Sequence, residues 1–139
     1  MRSTALGLAL LPLLAACAGC GKEAPKARPA THAEALASVG ALDCLVQKFP
    51  KDVASGQWIR FRAKFGERRG DAWLFKGFQD YYDVCMVKTT EDLSALKPDQ
   101  KVVIVGRYDG FSMPKEGGSG EDSFLARRNF GAAWVWVEK

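Results

Sequence analysis

A change in the spacing of apolar residues constrains the fold of this 139-residue chain more than any other feature. From Gln57 to Phe65, apolar and charged side chains alternate, which is typical of a β-strand with one buried face. The buried face would carry Ile59, Phe61, Ala63 and Phe65. Four more apolar segments follow, separated by turn residues, at about 72–78, 81–88, 101–108 and 131–137. The sequence therefore predicts a mainly β domain of five strands over residues 57–139.

The segments between the predicted strands set the order of the elements. A polar turn over 66–71 joins the first two strands, and a loop rich in glycine and serine over 110–123 separates the last two. Between the third and fourth strands, the segment from Thr90 to Leu96 begins with a capping residue and two acidic residues, which favours one or two helical turns. The resulting order, β-β-β-α-β-β, is that of a small five-stranded Greek-key barrel of the OB type.

A longer helix is predicted before the strands, over residues 31–49. Thr31 and Glu34 have the spacing of a capping box, and apolar residues recur at helical spacing as far as Phe49, which precedes a proline. Gly40 lies inside this predicted helix and indicates a bend or a close contact, because glycine there costs about 1 kcal/mol relative to alanine. We expect the helix to pack on the barrel.

The first 17 residues have the pattern of a bacterial export signal. A positively charged start precedes an apolar run from Ala5 to Ala16, which is too short for a transmembrane helix of roughly 20 residues. Leu14-Ala15-Ala16-Cys17 resembles the lipobox of bacterial lipoproteins. The resemblance implies that residues 1–16 are a signal peptide and that Cys17 becomes the N-terminus. Cys17 would carry a diacylglyceryl group and a further acyl chain such as palmitate, and two or three chains anchor a protein durably.

Three other interpretations of this segment stay open. The segment could be a plain secretory signal, the cut could precede Cys20 instead, or the Cys17-x-x-Cys20 spacing could belong to a zinc or redox site that lacks further ligands. Residues 17–30 are small, charged and interrupted by proline, which predicts a flexible tether. Ala18 replaces the Asp that usually retains enterobacterial lipoproteins at the inner membrane. We therefore expect an anchor in the cell envelope that faces the periplasm, at the outer rather than the inner membrane.

A pattern before the fourth predicted strand carries a second resemblance. From Leu96 to Gly110, a leucine and a lysine, a turn and an alternating strand that ends in glycine follow one another. With this pattern, the stretch from Trp58 to Val137 resembles the OB-fold domains of bacterial envelope lipoproteins of the tRNA-anti-like group. The resemblance implies a binding module that uses the face of its second and third strands. The loops between strands one and two and between strands four and five would flank that face.

The first strand and the turn after it carry the candidate ligand-binding residues. These are Trp58, Arg60, Arg62, Lys64, Arg68 and Arg69. Cations beside an aromatic residue hold single-stranded nucleic acid in such barrels, but a solvated strand face that prevents edge pairing has the same composition. Removal of Arg2 with the signal leaves 19 basic and 16 acidic residues, which is not the balance of a nucleic-acid-binding protein. An exported lipoprotein also seldom meets nucleic acid. An anionic glycan, a lipid headgroup or an acidic envelope protein is the expected partner.

Cysteine use is consistent with export. With Cys17 acylated and Cys20 beside the lipid, Cys44 and Cys85 are the cysteines within predicted elements, and we expect a disulfide between them. Such a bridge would stabilise the fold by roughly 4 kcal/mol in the chain-entropy model. Two buried free thiols are the alternative.

No catalytic, metal or cofactor site is predicted. The sequence has no nucleophile elbow, phosphate-binding loop or metal-ligand cluster, and its one histidine, His32, lies beside the tether. We therefore expect a membrane-anchored envelope lipoprotein with a non-catalytic OB-type binding module. A structural or stress-related lipoprotein without a small-molecule ligand is the alternative.

Overall fold

The alternating segment forms a long strand whose apolar side faces the core. In the computed structural model, which describes residues 27–77, 84–112 and 127–139, Ile59 and Phe61 are at most 1% exposed. The elements are α1 (His32–Val39), β1 (Leu42–Asp43), β2 (Trp58–Arg69), β3 (Ala72–Lys76), β4 (Val84–Val87), β5 (Lys101–Ser112) and β6 (Arg127–Val137). Each strand from β2 onward overlaps a predicted strand, so the mainly β prediction is confirmed.

Five of the six strands close into a barrel. β2 pairs antiparallel with β3, β3 with β4, and β5 with β6, whereas β4 and β6 run parallel. β5 also pairs antiparallel with β2 along Trp58 to Lys64, which joins the two ends of the sheet. The short strand β1 adds to β2 in parallel, with Leu42 opposite Ile59. Closure pairs strands that would otherwise be open edges.

Aromatic and branched side chains from all five barrel strands fill the interior. Phe61 and Phe130 lie with their ring centroids 4.7 Å apart, and Phe75 is fully buried. A second apolar cluster lies outside the barrel, beneath α1, and its buried members are Ala35, Trp58, Val105 and Trp134. The barrel therefore has apolar packing on both sides of β2, β5 and β6.

A bulge at Gly66 allows β2 to bend between its two neighbours. The residue before Gly66 is opposite Phe75 and the residue after it is opposite Leu74, so Gly66 is an extra residue on β2. A β-carbon at Gly66 would lie 2.8 Å from the carbonyl oxygen of Leu74. Only glycine fits this close approach of the two strands.

The bulge also changes the side on which later residues of β2 lie. The turn predicted over 66–71 is reduced to residues 70 and 71, because β2 continues through the rest of that segment. Arg68 is opposite Trp73, which belongs to the core cluster. Arg68 therefore does not lie on the outward side that an uninterrupted alternation predicts.

The helix predicted over 31–49 is shorter in the structure. Thr31 caps α1, since its side-chain oxygen accepts a hydrogen bond from the backbone N–H of Glu34 at 3.1 Å. Gly40 ends α1 in the left-handed conformation, with φ 61°, and the next residue donates to the carbonyl of Leu36 at 3.0 Å. The glycine is thus a C-terminal cap and not a bend. The apolar residues that follow it lie in β1 and in the connection to β2.

The helical turns predicted between the third and fourth barrel strands are not formed. Residues 90–96 make bends and turns, in which the backbone N–H of Leu96 donates to the carbonyl of Leu93 at 3.0 Å. Leu93 is 6% exposed and belongs to the core cluster. Leu93 is therefore buried, and Leu96 packs partly buried against the core, without a regular helix.

The predicted disulfide between Cys44 and Cys85 is not formed either, and both residues are thiols. Cys44 follows β1 and is partly buried, whereas Cys85 is fully buried on β4. In the sheet, β2 and β3 lie between β1, which Cys44 follows, and β4, which carries Cys85. Burial, with a smaller contribution from the charge of Asp43, raises the pKa of the Cys44 thiol to about 11. That thiol is therefore protonated and weakly reactive at neutral pH.

Several predicted features lie outside the described residues. These are the signal over 1–16, Cys17 with the tether as far as residue 26, and the loop over 113–123. Within the described ranges, no helix is long and apolar enough to cross a membrane.

Candidate functional site

α1 covers the outward side of β2 at Trp58, the first residue of the strand. Trp58, which the sequence predicts as part of a ligand-binding face, is 7% exposed and stacks on Trp134 with ring centroids 5.3 Å apart. It lies in the cluster beneath α1 with Ala35. Trp58 is therefore a packing residue, and little of its surface is open to a ligand because α1 and Trp134 cover it.

Arg60, the next outward residue, is held by an acidic partner. Its guanidinium donates hydrogen bonds of 2.6 and 3.1 Å to the carboxylate of Asp43, and its Nη1 lies 3.1 Å from Nδ1 of His32. The hydrogen bonds from Arg60 lower the pKa of Asp43, whereas burial and then the charge of Arg60 lower the pKa of His32. Because these residues come from β2, β1 and α1, the cluster fastens the three elements together.

Two further arginines of the predicted set form ion pairs nearer the surface. Nε of Arg62 lies 2.7 Å from the carboxylate of Glu138, and Nη2 of Arg69 lies 2.6 Å from that of Glu67. Exposed pairs of this kind contribute little to stability. The Arg62 side chain is still 57% exposed, so it can contact a ligand as well as Glu138.

The bulge in β2 lies between Arg68 and the candidates at the start of the strand, which are Trp58, Arg60, Arg62 and Lys64. Its guanidinium carbon lies 5.5 Å from the ring centroid of Trp73, and its Nε donates to the carbonyl of Gly70 at 3.2 Å. A guanidinium over an aromatic ring is a favourable cation–π arrangement. Arg68 therefore packs over a core aromatic residue at the end of the hairpin between β2 and β3.

Lys64 belongs to a row of three lysines on adjacent strands. In the register of the sheet it is directly opposite Lys76 on β3 and Lys101 on β5. All three are exposed, and directly opposed residues lie on the same side of a sheet. We call Lys64, Lys76 and Lys101 the lysine row. Like charges placed directly opposite one another destabilise a sheet, so the row is a local cost to the fold.

An open cleft of about 440 Å³ lies against two residues of the lysine row, Lys64 and Lys101. We call it the cationic cleft, and it is lined by Arg62, Ala63, Lys64, Gly77, Lys101, Glu138 and Lys139. Four of these side chains are cationic and one is acidic, and the acidic one is paired with Arg62. The lining residues that the structure describes include no aromatic ring, so the cleft offers positive charge without a surface for stacking.

The chain before α1 is fastened close to the cationic cleft. Arg28 donates to the carbonyl of Val135 at 2.7 Å and forms an ion pair of 3.0 Å with Glu91. Its guanidinium carbon also lies 4.9 Å from the ring centroid of Trp136. Trp136 and Glu138 alternate with Val137 and so lie on one side of the strand. The contact of Arg28 on β6 therefore neighbours the side of the cleft formed by Glu138.

Three cations of this site were missed by the sequence prediction. They are Lys101 and Lys139, which line the cleft, and Lys76, which belongs to the lysine row. Each follows or precedes an apolar strand segment, so a lysine at a strand end is the signal they share. That signal alone does not tell which strand ends meet, because the register of the barrel decides it.

Comparison with known proteins gives no family for this chain. No protein-family model matches the sequence, and no curated protein matches it. Within the part of the chain that the structure describes, no group of three or more His, Cys, Asp or Glu side chains is placed to hold a metal ion. The residues of the cationic cleft are therefore the main guide to function.

Proposed function

We propose that this chain is an envelope lipoprotein anchored through Cys17, and that its barrel is a non-catalytic module that binds an anionic ligand in the cationic cleft. The observation that carries the proposal is the lysine row, in which three cations lie in register on β3, β2 and β5. Each opposed pair of like charges costs roughly 0.2–1 kcal/mol, and a bound anion would offset that cost. Lysine is a flexible point charge that binds phosphate, sulfate or carboxylate groups.

We further propose that the barrel is of the OB type. The strand order β2-β3-β4-β6-β5, closing on β2, and the parallel pairing of β4 with β6 support this assignment. The length of β2, its bulge at Gly66 and its pairing with both β3 and β5 support it too. The cationic cleft lies mainly where β2 and β5, the first and fourth barrel strands, meet. The family resemblance implies a different face, that of β3 and β4, the second and third barrel strands.

Calorimetric titration with inorganic pyrophosphate and with a sulfated tetrasaccharide tests anion binding. A row variant carries Lys64→Gln, Lys76→Gln and Lys101→Gln. A control variant carries Lys48→Gln, Lys51→Gln and Lys88→Gln, which remove the same charge from exposed residues outside the cleft. We expect the unaltered chain and the control variant to bind in a salt-dependent manner and the row variant to bind about tenfold more weakly.

Equal affinities of the row and control variants would contradict the proposal. The same result would favour a structural lipoprotein whose basic residues form a solvated face. Melting temperatures of the two variants within a few degrees of the unaltered chain would show that lost binding does not come from unfolding.

The lipid anchor has a separate test. We expect mass spectrometry of the N-terminal peptide from an envelope fraction to show an acylated Cys17, and Cys17→Ser to release the chain from the membrane fraction. An unmodified Cys17 in the membrane-bound protein would contradict the anchor without affecting the proposal for the cleft.

A further inference from the structure

We infer that the cationic cleft and the lysine row dock the barrel onto anionic phospholipid headgroups of the membrane that holds the chain. This inference rests on the anion-binding function and the lipid anchor proposed above. It names the ligand as a membrane surface and gives the barrel a fixed orientation on that surface.

The shape of the charged surface suits a membrane. The lysine row extends across three neighbouring strands, and strands in a sheet lie about 4.8 Å apart. Three amines at this spacing form a shallow line that can contact several headgroups at once. Arg62 and Lys139 extend the charge on the side of the cleft. Each lysine near an anionic bilayer surface strengthens attachment about fivefold.

The composition of the cleft favours phosphate groups over sugars or bases. Recognition of sugar rings and bases commonly uses an aromatic surface for stacking, and the described lining of the cleft provides none. An acidic protein partner would also need apolar contact area at the centre of its interface. Five of the seven residues that line the cleft are charged, and the other two are Ala63 and Gly77. Anionic phospholipid headgroups attract clusters of cationic side chains without such a surface.

The position of the tether brings the same side of the barrel to the bilayer. Arg28 fastens the chain to β6 beside Trp136, next to the side of the cleft formed by Glu138. Eleven residues lead from Cys17 to Arg28, and a chain of that length spans at most about 40 Å. The cleft is therefore held near the membrane in which the acyl chains of Cys17 would lie.

Vesicle co-sedimentation of the mature chain with Cys17→Ser tests the inference, because this substitution removes binding through acyl chains. The vesicles contain either phosphatidylcholine alone or phosphatidylcholine with one quarter phosphatidylglycerol. We expect binding to the second kind only, with a loss at high salt. We expect the row variant to bind the anionic vesicles about a hundredfold more weakly, and the control variant at Lys48, Lys51 and Lys88 to lose much less.

Equal losses in the row and control variants, or no preference for anionic vesicles, would overturn the inference. The titration with pyrophosphate separates this failure from a failure of the proposed function. If pyrophosphate binds in the cleft and the vesicles do not bind, only the membrane inference is wrong. If neither probe distinguishes the row variant from the control variant, both are wrong.

Discussion

At the scale of single residues, Arg60 shows how a candidate ligand-binding cation has a structural role instead. Its side chain is 12% exposed, and Asp43 accepts two hydrogen bonds from it. Asp43→Asn would leave a largely buried guanidinium without its counter-charge. We expect the free energy of unfolding at pH 7 to fall by about 1.5 kcal/mol. Urea denaturation followed by circular dichroism measures this change.

Asp52→Asn is the matched control for that substitution, because Asp52 is an exposed residue in the connection between β1 and β2. We expect it to change the free energy of unfolding by less than about 0.5 kcal/mol. A loss as large as that of Asp43→Asn would show that net charge, and not the contact with Arg60, is responsible.

His32 makes stability depend on pH. Burial, then the charges of Arg60 and Arg62, lower its pKa, while Glu138 and Asp43 act in the opposite direction. The unfolded chain therefore binds a proton at His32 more readily than the folded chain does. The contribution of His32 to the free energy of unfolding is fully present above the pKa of about 6.5 that histidine has in an unfolded chain. It is lost as the pH falls below that value. We expect the free energy of unfolding to fall between pH 7.5 and pH 5.5.

A comparison with His32→Gln isolates this effect from other titrations. Burial raises the pKa of Glu91, so that carboxyl favours the folded state as the pH falls and opposes the trend of His32. The difference between the unaltered chain and His32→Gln cancels the contribution of Glu91. If that difference does not change between pH 7.5 and pH 5.5, His32 is not coupled to folding.

The sequence allowed part of this residue-scale description to be predicted. Alternation along β2 correctly placed Arg60 and Arg62 outside the barrel, because side-chain direction in a strand depends only on local geometry. Their partners, Asp43 and Glu138, are 17 and 76 residues away in sequence. Such pairs depend on which strands and helices become neighbours, and no local pattern contains that information.

At the scale of the elements, the bulge in β2 is the feature with the sharpest consequence. Gly66→Ala would place a β-carbon 2.8 Å from the carbonyl oxygen of Leu74 and 2.7 Å from its Cδ2. Backbone would have to move, so we expect a loss of about 2 kcal/mol in the free energy of unfolding. Thermal denaturation monitored by tryptophan fluorescence measures it.

Gly131→Ala is the control for this substitution. Its added β-carbon would meet Nη2 of Arg107 at 2.8 Å, which is the end of a flexible side chain that can move away. We expect a loss below about 1 kcal/mol. If the two alanine variants were equally unstable, the close approach at the bulge would not be the reason why glycine is present.

Element boundaries were less predictable than element types. The helical spacing of apolar residues continued past Gly40 to Phe49, but the left-handed conformation of Gly40 ends α1. In the same way, Leu93 and Leu96 have a spacing that suits a helix but make a turn that covers the core. Apolar spacing predicts that residues are buried, whereas the backbone conformation also depends on packing with distant elements.

At the scale of the whole molecule, barrel closure creates a site that no single strand contains. Lys64, Lys76 and Lys101 come together only because β2 pairs with β3 on one side and with β5 on the other. The strands themselves could be predicted from local alternation. Their register could not, because the bulge at Gly66 shifts it and a shift by one residue changes which side chains are opposed.

The cost of the lysine row is a property of the assembled sheet and can be measured directly. Lys64 has a lysine opposite it on both sides, whereas within the row Lys76 and Lys101 are each opposite only Lys64. We expect Lys64→Gln to raise the free energy of unfolding at low salt by about 0.5 kcal/mol, and Lys76→Gln by about half as much. Urea denaturation at low and high salt measures both gains, which salt should reduce. A destabilising effect of Lys64→Gln would mean that the row is not a cost to the free protein.

Amide chemical-shift mapping by nuclear magnetic resonance during titration with pyrophosphate would show where on the barrel an anion binds. If the anion binds in the cationic cleft, the largest shifts will come from residues 62–64, 76–77, 101 and 138–139. Those shifts will follow one binding curve and disappear in the row variant. The largest shifts at Arg127 and Arg128, at the start of β6, would contradict anion binding in the cationic cleft, as would small shifts spread over all the basic residues.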